Sequence, residues 1–120
     1  MGAKQILIVE DNPDAAESLG KLLELHGHTV SVAHTGPDGL ALASAVKPDV
    51  AIVDIGLPDM DGHELARQLR CQLNGADCLL IAATAYGREE DIARSAAAGF
   101  DAHFVKPVPL IRFLQAIDED

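Results

Sequence analysis

The 120-residue chain has no tryptophan, one tyrosine and three phenylalanines. It therefore lacks the material for stacking platforms on which nucleic-acid bases or flat aromatic cofactors rest. Cysteine is nearly as scarce. Cys71 and Cys78 are too few for a disulfide scaffold, and no second pair or nearby histidine gives them metal-ligand spacing; two reduced, structural thiols are expected. Positive charge is short too: nine Lys and Arg against nineteen Asp and Glu leave a formal charge of −10, which opposes a nucleic-acid backbone or an anionic membrane surface. No apolar run approaches the roughly 20 residues needed to cross a bilayer. Met1-Gly2-Ala3-Lys4-Gln5 leads straight into a strand pattern, with Ile6 where a myristoylation signal places Ser or Thr. The expectation is a soluble, cytoplasmic protein that binds neither nucleic acid nor membrane, organised as one domain over residues 1–120 with an ordered core from about 4 to 117.

What is present is a regular alternation. Gln5-Ile6-Leu7-Ile8-Val9 is a continuous apolar run, as in a central parallel strand covered on both faces. Pro13 suits the first turn of a helix with Ala15, Ala16, Leu19, Leu22 and Leu23 at helical spacing, stopped by Gly27. Thr29–Ala33 alternates and reads as a strand nearer the sheet's edge; Thr35-Gly36 opens a helix with Leu40, Ala43 and Val46 on one stripe, ending before Lys47-Pro48. Val50–Asp54 is the third strand, and Asp61-Gly62 starts a helix with Leu65, Ala66, Leu69 and Leu73 inward, ended by Asn74-Gly75. Cys78–Ala83 is the fourth strand, ending at Thr84. A polar stretch from Glu89 leads a helix from Ile92 to Ala98, with Gly99 as its stop. Ala102–Val105 is the fifth strand, and Leu110, Leu114 and Ile117 mark the last helix's buried stripe. Five strands alternating with five helices predict an α/β fold: a doubly wound, mostly parallel sheet with helices on both faces and right-handed crossovers.

The chemistry-bearing residues gather at strand ends. Asp54 closes the third strand; Glu10 and Asp11 follow the first, Thr84 the fourth and Lys106 the fifth. One Asp at one strand end signifies little, since Asp is common in turns for its local hydrogen bonds. In a doubly wound sheet, however, the carboxyl ends converge on one crevice. Two unit charges about 4 Å apart interact by roughly 4 kcal/mol at an effective dielectric near 20, so three clustered carboxylates need a cation. Lys106 offsets one charge. The remainder suits a hard divalent cation with oxygen ligands, and Mg2+ keeps waters and bridges to phosphoryl groups. Asp54 can then act as a carboxylate nucleophile forming an aspartyl phosphate, with Thr84 and Lys106 binding the phosphoryl oxygens.

This ordered set resembles the receiver domains of response regulators in two-component signalling: Glu10-Asp11, Asp54 with Leu57-Pro58-Asp59-Met60-Asp61-Gly62 behind it, Thr84-Ala85, and Lys106-Pro107. The resemblance covers almost the whole chain. It implies a flavodoxin-like fold with strand order 2-1-3-4-5 and Asp54 as phosphoacceptor. It further implies Mg2+ held by Asp11, Asp54 and the Gly56 carbonyl, with Glu10 helping through water. Thr84 and His103 would be the switch pair, Lys106 the phosphate partner, and the donor a phosphohistidine on a sensor histidine kinase or histidine phosphotransfer protein. The output would be a downstream protein or a fused domain, reached through the face formed by the fourth helix, fifth strand and fifth helix. The run Ala102-His103-Phe104-Val105-Lys106-Pro107-Val108 resembles receivers fused to hybrid histidine kinases and so suggests a phosphorelay. A monomer is expected, with dimerisation on phosphorylation as the alternative state.

The chain departs from the family's pattern at His103, where a Tyr or Phe usually reports phosphorylation; an imidazole can change rotamer and also charge near neutral pH. Gly56 and Tyr86 occupy positions that in the family influence phosphate lifetime. X-Pro bonds are cis in only about 5–6 per cent of cases, which favours trans at Lys106-Pro107, whereas the resemblance implies cis. Asp59 and Asp61 are expected to cap the third helix, Phe104 to belong to the core, and His26, His28, His34 and His63 to be solvated. Three other functions share parts of this pattern. A metal-dependent phosphohydrolase would need a second Asp where Gly56 stands, and a flavin-binding module of this fold class would need an aromatic pair. The third is a receiver-like interaction module that is never phosphorylated.

Overall fold

A computed structural model describes residues 2–73 and 77–119. Its strands are β1 (Gln5–Val9), β2 (Thr29–Ala33), β3 (Val50–Asp54), β4 (Leu79–Thr84) and β5 (Ala102–Val105). Between and after them run α1 (Pro13–Leu25), α2 (Gly36–Val46), α3 (Gly62–Leu73), α4 (Glu89–Ala98) and α5 (Leu110–Glu119). All pairings are parallel, in the order β2-β1-β3-β4-β5. This is the doubly wound parallel sheet expected from the alternation, in the flavodoxin-like order that the resemblance implied.

Helices cover both faces because β1, β3 and β4 are apolar on both. Leu7, Val9, Ala51, Val53, Leu80 and Ala82 pack with Leu65 and Leu69 of α3 on one side. On the other, Ile6, Ile8, Val50, Ile52 and Ile81 pack with Ala16 and Leu23 of α1 and Phe113 and Ile117 of α5. Removing a side chain of this size from water contributes about 1.5–3 kcal/mol each. β2 and β5 are the edges, and their residues are mostly half-buried.

Local chemistry sets the element ends. Asn12 caps α1 by accepting the N–H groups of Asp14 and Ala15, and Pro13 fills the first position, which needs no donor. Lys47 ends α2 in the left-handed region, before Pro48. Gly99 ends α4 at φ +109°, backbone that a Cβ would strain. Two boundaries differ from the sequence reading. β4 begins at Leu79 rather than Cys78 and includes Thr84. α4 begins at Glu89 rather than Ile92, because the Asp91 carboxylate accepts the Arg88 N–H and an acidic first turn suits the helix's positive end. The stop expected at Asn74-Gly75 lies outside the described residues.

Two histidines expected in solvent are buried: His28 is 9% and His63 5% exposed. His28 Nδ1 accepts the Lys4 N–H, and the His63 ring meets Phe100 edge-on. His26 and His34 are exposed, as expected. Ala15 and Leu22 face outward more than their spacing suggested, while Gly20 is buried against Val30. Phe104 does pack into the core, edge-on to Phe113 at 5.7 Å between ring centres.

Candidate functional site

The strand order reverses between β1 and β3, and the crevice at their carboxyl ends is where this fold class binds ligands. Glu10, Asp11 and Asp54 stand there, each able to place an oxygen within 4.8 Å of the others. Among the described residues this is the one group of three such side chains that could hold a metal ion. Glu10 is pinned by the strand it ends: its N–H donates to the Ala33 carbonyl, and its Oε2 accepts from the Asn12 N–H at 3.2 Å. Asp54 Oδ1 accepts the Gly56 N–H at 2.9 Å. Asp11 is exposed beside them.

Lys106 reaches in from the end of β5, its own N–H held by the Thr84 carbonyl at 2.7 Å. The Lys106–Pro107 bond is cis, as the resemblance implied and against the general preference. Nζ lies 2.7 Å from Glu10 Oε1 and 3.4 Å from Asp54 Oδ2. Burial is the largest influence on the Glu10 carboxyl and raises its pKa; the Lys106 and Asn12 hydrogen bonds only partly offset this. For Lys106 burial alone would favour the neutral amine, yet the Glu10 hydrogen bond and the Asp54 charge outweigh it, so its pKa is raised and the ammonium persists.

The remaining sequence-predicted residues, Thr84 and His103, line a second cavity rather than the acidic cleft. Thr84 is buried at 1% exposure, and its Oγ1 accepts the Tyr86 N–H at 3.2 Å. It borders a cavity of about 290 Å³ shared with His63, His103, Asp61, Asp91 and Arg94. His103 bridges two elements: Nε2 meets the Tyr86 carbonyl at 2.7 Å and Nδ1 meets Ser95 Oγ on α4 at 2.8 Å. Sequence reading missed Ser95; its signal was a polar residue on the stripe that also holds the buried Ala98. Asp61 behaves as expected, its Oδ1 accepting the His63 N–H and ring nitrogen and its carbonyl accepting the first helical bond from Leu65. Burial is the largest influence on the Asp61 carboxyl and pushes its pKa up, but the His63 contacts together prevail and hold it below the ordinary value. Asp59 does not cap α3. Its Oδ2 accepts the Gly36 N–H at the start of α2.

The donor set is chemically coherent with a divalent cation. Three carboxylates cluster with one ammonium beside two of them, and all candidate ligands are oxygens, which suits Mg2+ better than a soft metal. From this acidic end an apolar cleft of about 540 Å³ runs between α1 and α5, past Leu19, Leu22, Val108, Leu110 and Phe113. No helix among the described residues is long and apolar enough to cross a membrane.

The family described as "Response regulator receiver domain" matches residues 6–118. Protein PilH of Pseudomonas aeruginosa is 36% identical over 114 residues, 95% of this chain and 94% of that protein. A CheY-like response regulator receiver domain protein from Methanospirillum hungatei has a crystal structure similar at a TM-score of 0.90 with 35% identity, covering 98% of this chain and 93% of that one. A response regulator from Burkholderia pseudomallei, crystallised with a phosphorylated aspartic acid, a calcium ion and citrate, is similar at 0.87 with 28% identity, covering 94% of this chain and 65% of that one.

Proposed function

This chain belongs to the response regulator receiver domain family, and on that premise we propose that Asp54 is the residue that takes the phosphoryl group. The observation that carries the assignment is the Lys106 ammonium bridging Glu10 and Asp54 at the carboxyl edge of β1 and β3. A structure of a relative with a phosphorylated aspartic acid supports the same chemistry.

In the proposed step, an Asp54 carboxylate oxygen attacks the phosphorus of a phosphohistidine on a sensor kinase or phosphotransfer protein. The P–O bond forms as the P–N bond breaks, and the electron pair returns to the donor's imidazole. Lys106 follows the charge of the incoming phosphoryl oxygens. Thr84 has given an acceptor lone pair to Tyr86 but keeps its own proton, which it can donate to a phosphoryl oxygen. Asp11, Asp54 and the Gly56 carbonyl would hold Mg2+, with Glu10 acting through water. When bound, Mg2+ supplies positive charge that screens the carboxylates and stabilises the transferring phosphoryl group. His103, tied to Tyr86 and Ser95, is the residue through which a moved Thr84 would be felt at α4. The output would pass to a downstream protein or a fused domain. The nucleophile is consumed and regenerated only when the phosphoryl group leaves, so the role is a switch rather than turnover of a substrate.

The test is intact-mass measurement after incubation with acetyl phosphate, with and without Mg2+, beside Asp54→Asn. A Mg2+-dependent gain of one phosphoryl group in the wild type, absent in the variant, is the expected result. No gain, together with no beryllofluoride binding, would leave a receiver-fold interaction module that is not phosphorylated.

A further inference from the structure

The loop joining β3 to α3 carries the Gly56 N–H that holds Asp54 Oδ1, so where this loop sits, the Asp54 carboxylate follows. Its inner part is anchored by Leu57, 7% exposed in the core, but Gly56, Pro58, Asp59 and Asp61 face solvent. The Gly62 N–H closes the loop on the Ile55 carbonyl at 3.3 Å, and its outer part also reaches another element. Asp59 Oδ2 accepts the Gly36 N–H at 3.0 Å, and Met60 lies over the same residue so closely that a Cβ on Gly36 would come 2.6 Å from Met60 Sδ. Gly36 is the first residue of α2, and its N–H has no partner within the helix. The partial positive charge of a helix start favours a carboxylate there. α2 has its own cap without Asp59, since Thr35 Oγ1 accepts the Asp38 N–H at 3.2 Å.

We infer that Asp59 is a positioning residue for phosphoryl transfer: by docking the 55–61 loop on the first turn of α2 it fixes Gly56, and through Gly56 the orientation of Asp54 towards Lys106. The inference rests on the reading of Asp54 as phosphoacceptor. Losing the Asp59 acceptor leaves the N–H of the buried Gly36 without a partner, a penalty that falls on the docked arrangement. The loss is therefore felt at Gly56, and in the dependence on a metal held beside it, more than in the sheet.

The experiment compares wild type, Asp59→Ala, Asp59→Asn and Thr35→Ala in two readouts. One is amide hydrogen exchange of the metal-free protein by NMR; the other is the initial rate of phosphorylation by acetyl phosphate as Mg2+ is varied. Asparagine keeps a carbonyl acceptor and alanine does not, while Thr35→Ala removes the acceptor of the Asp38 N–H and leaves Asp59 on the Gly36 N–H. Asp59→Ala is expected to lose protection at Gly36 and Gly56 together. It should also raise the half-saturating Mg2+ concentration about tenfold, the lower end for residues behind a metal's ligands. Asp59→Asn should recover most of both, and Thr35→Ala should lose protection at Asp38 yet keep it at Gly36 and Gly56 and leave the Mg2+ dependence unchanged. The inference alone is overturned if wild type is phosphorylated but Gly56 is unmoved in Asp59→Ala, if asparagine fails to rescue, or if Thr35→Ala reproduces both shifts. A wild type that accepts no phosphoryl group overturns it together with the phosphoacceptor reading.

Discussion

Nζ of Lys106 donates to Oε1 of Glu10 at 2.7 Å across 96 positions of sequence, joining the ends of β5 and β1. The contact occupies a carboxylate that would otherwise add its full repulsion to Asp11 and Asp54. Lys106 and a divalent cation are thus alternative partners for the same negative charge. Lys106→Ala is expected to tighten Mg2+ binding while slowing phosphorylation by acetyl phosphate about 100-fold, the loss typical of removing one group that stabilises developing charge. Titration calorimetry and intact-mass kinetics on one preparation read the two effects. Weaker Mg2+ binding in the variant would show that Lys106 organises the carboxylates rather than competing with the metal.

Divalent cation should stabilise the fold by relieving this cluster. At 100 times its dissociation constant, Mg2+ is expected to add about 2.7 kcal/mol, seen as a higher melting temperature that a chelator reverses. Burial raises the Glu10 carboxyl above its ordinary 4.5. A raised carboxyl favours its protonated form in the fold, so its contribution to the stability of the metal-free protein is present below 4.5 and lost as pH rises through the raised value. Proton and metal compete for the site, and the Mg2+ gain in melting temperature should shrink as pH falls through that same region. A gain that is flat across it would exclude Glu10 from the metal's surroundings.

Asp61 has the opposite sign. Its carboxyl is held below the ordinary 3.8 by His63 despite the opposing effect of burial. The stability it contributes is therefore present above 3.8 and lost as pH falls through the depressed value. Half of the Asp61 side chain is in solvent, so screening keeps the slope small. His63→Leu removes the ring but keeps the backbone N–H that donates to Asp61, so it should flatten this acid limb only in part. It should cost little at neutral pH, because the buried His63 Nε2 has no hydrogen-bond partner among the described residues. Urea midpoints between pH 3 and 7 measure both effects; a steeper acid limb in the variant would refute the pairing.

Much of this was legible because parallel strands buried on both faces read as continuous apolar runs, and because β3 and β4 end in, and β1 and β5 are followed by, a residue whose type announces chemistry. The convergence of Glu10, Asp54 and Lys106 follows from topology once the alternation is recognised. What was not legible depends on partners distant in sequence. His28 and His63 are buried because Lys4 and Phe100 come to them, and Asp59 turns to α2 because Gly36 offers a bare N–H. Phe113, three residues after Leu110 and four before Ile117, lies on the same face as the Leu110, Leu114, Ile117 stripe and is 4% exposed, edge-on to Phe104 on the α1 side of the core.

That placement makes Phe113 a stability determinant distinct from the site. Phe113→Ala should cost about 3–5 kcal/mol, the range for a buried aromatic that leaves a cavity. The denaturant midpoint reports it. A loss below about 1 kcal/mol would mean that α5 closes over the gap, which its position beside the cleft to α1 makes the specific alternative.

His103 yields a prediction about a single proton. The Tyr86 carbonyl can only accept, so the Nε2 that meets it must carry hydrogen. In the neutral ring Nδ1 then accepts from the Ser95 hydroxyl. Long-range 1H–15N spectra of the neutral ring should therefore show the Nε2–H form, with no comparable Nδ1–H population. Ser95→Ala removes the partner that α4 supplies while leaving Tyr86 in place, and should free the ring without changing its tautomer. If His103 also transmits phosphorylation, beryllofluoride should shift its ring resonances in wild type by more than in Ser95→Ala. Equal shifts in the two proteins would place the response at Tyr86 and uncouple it from α4.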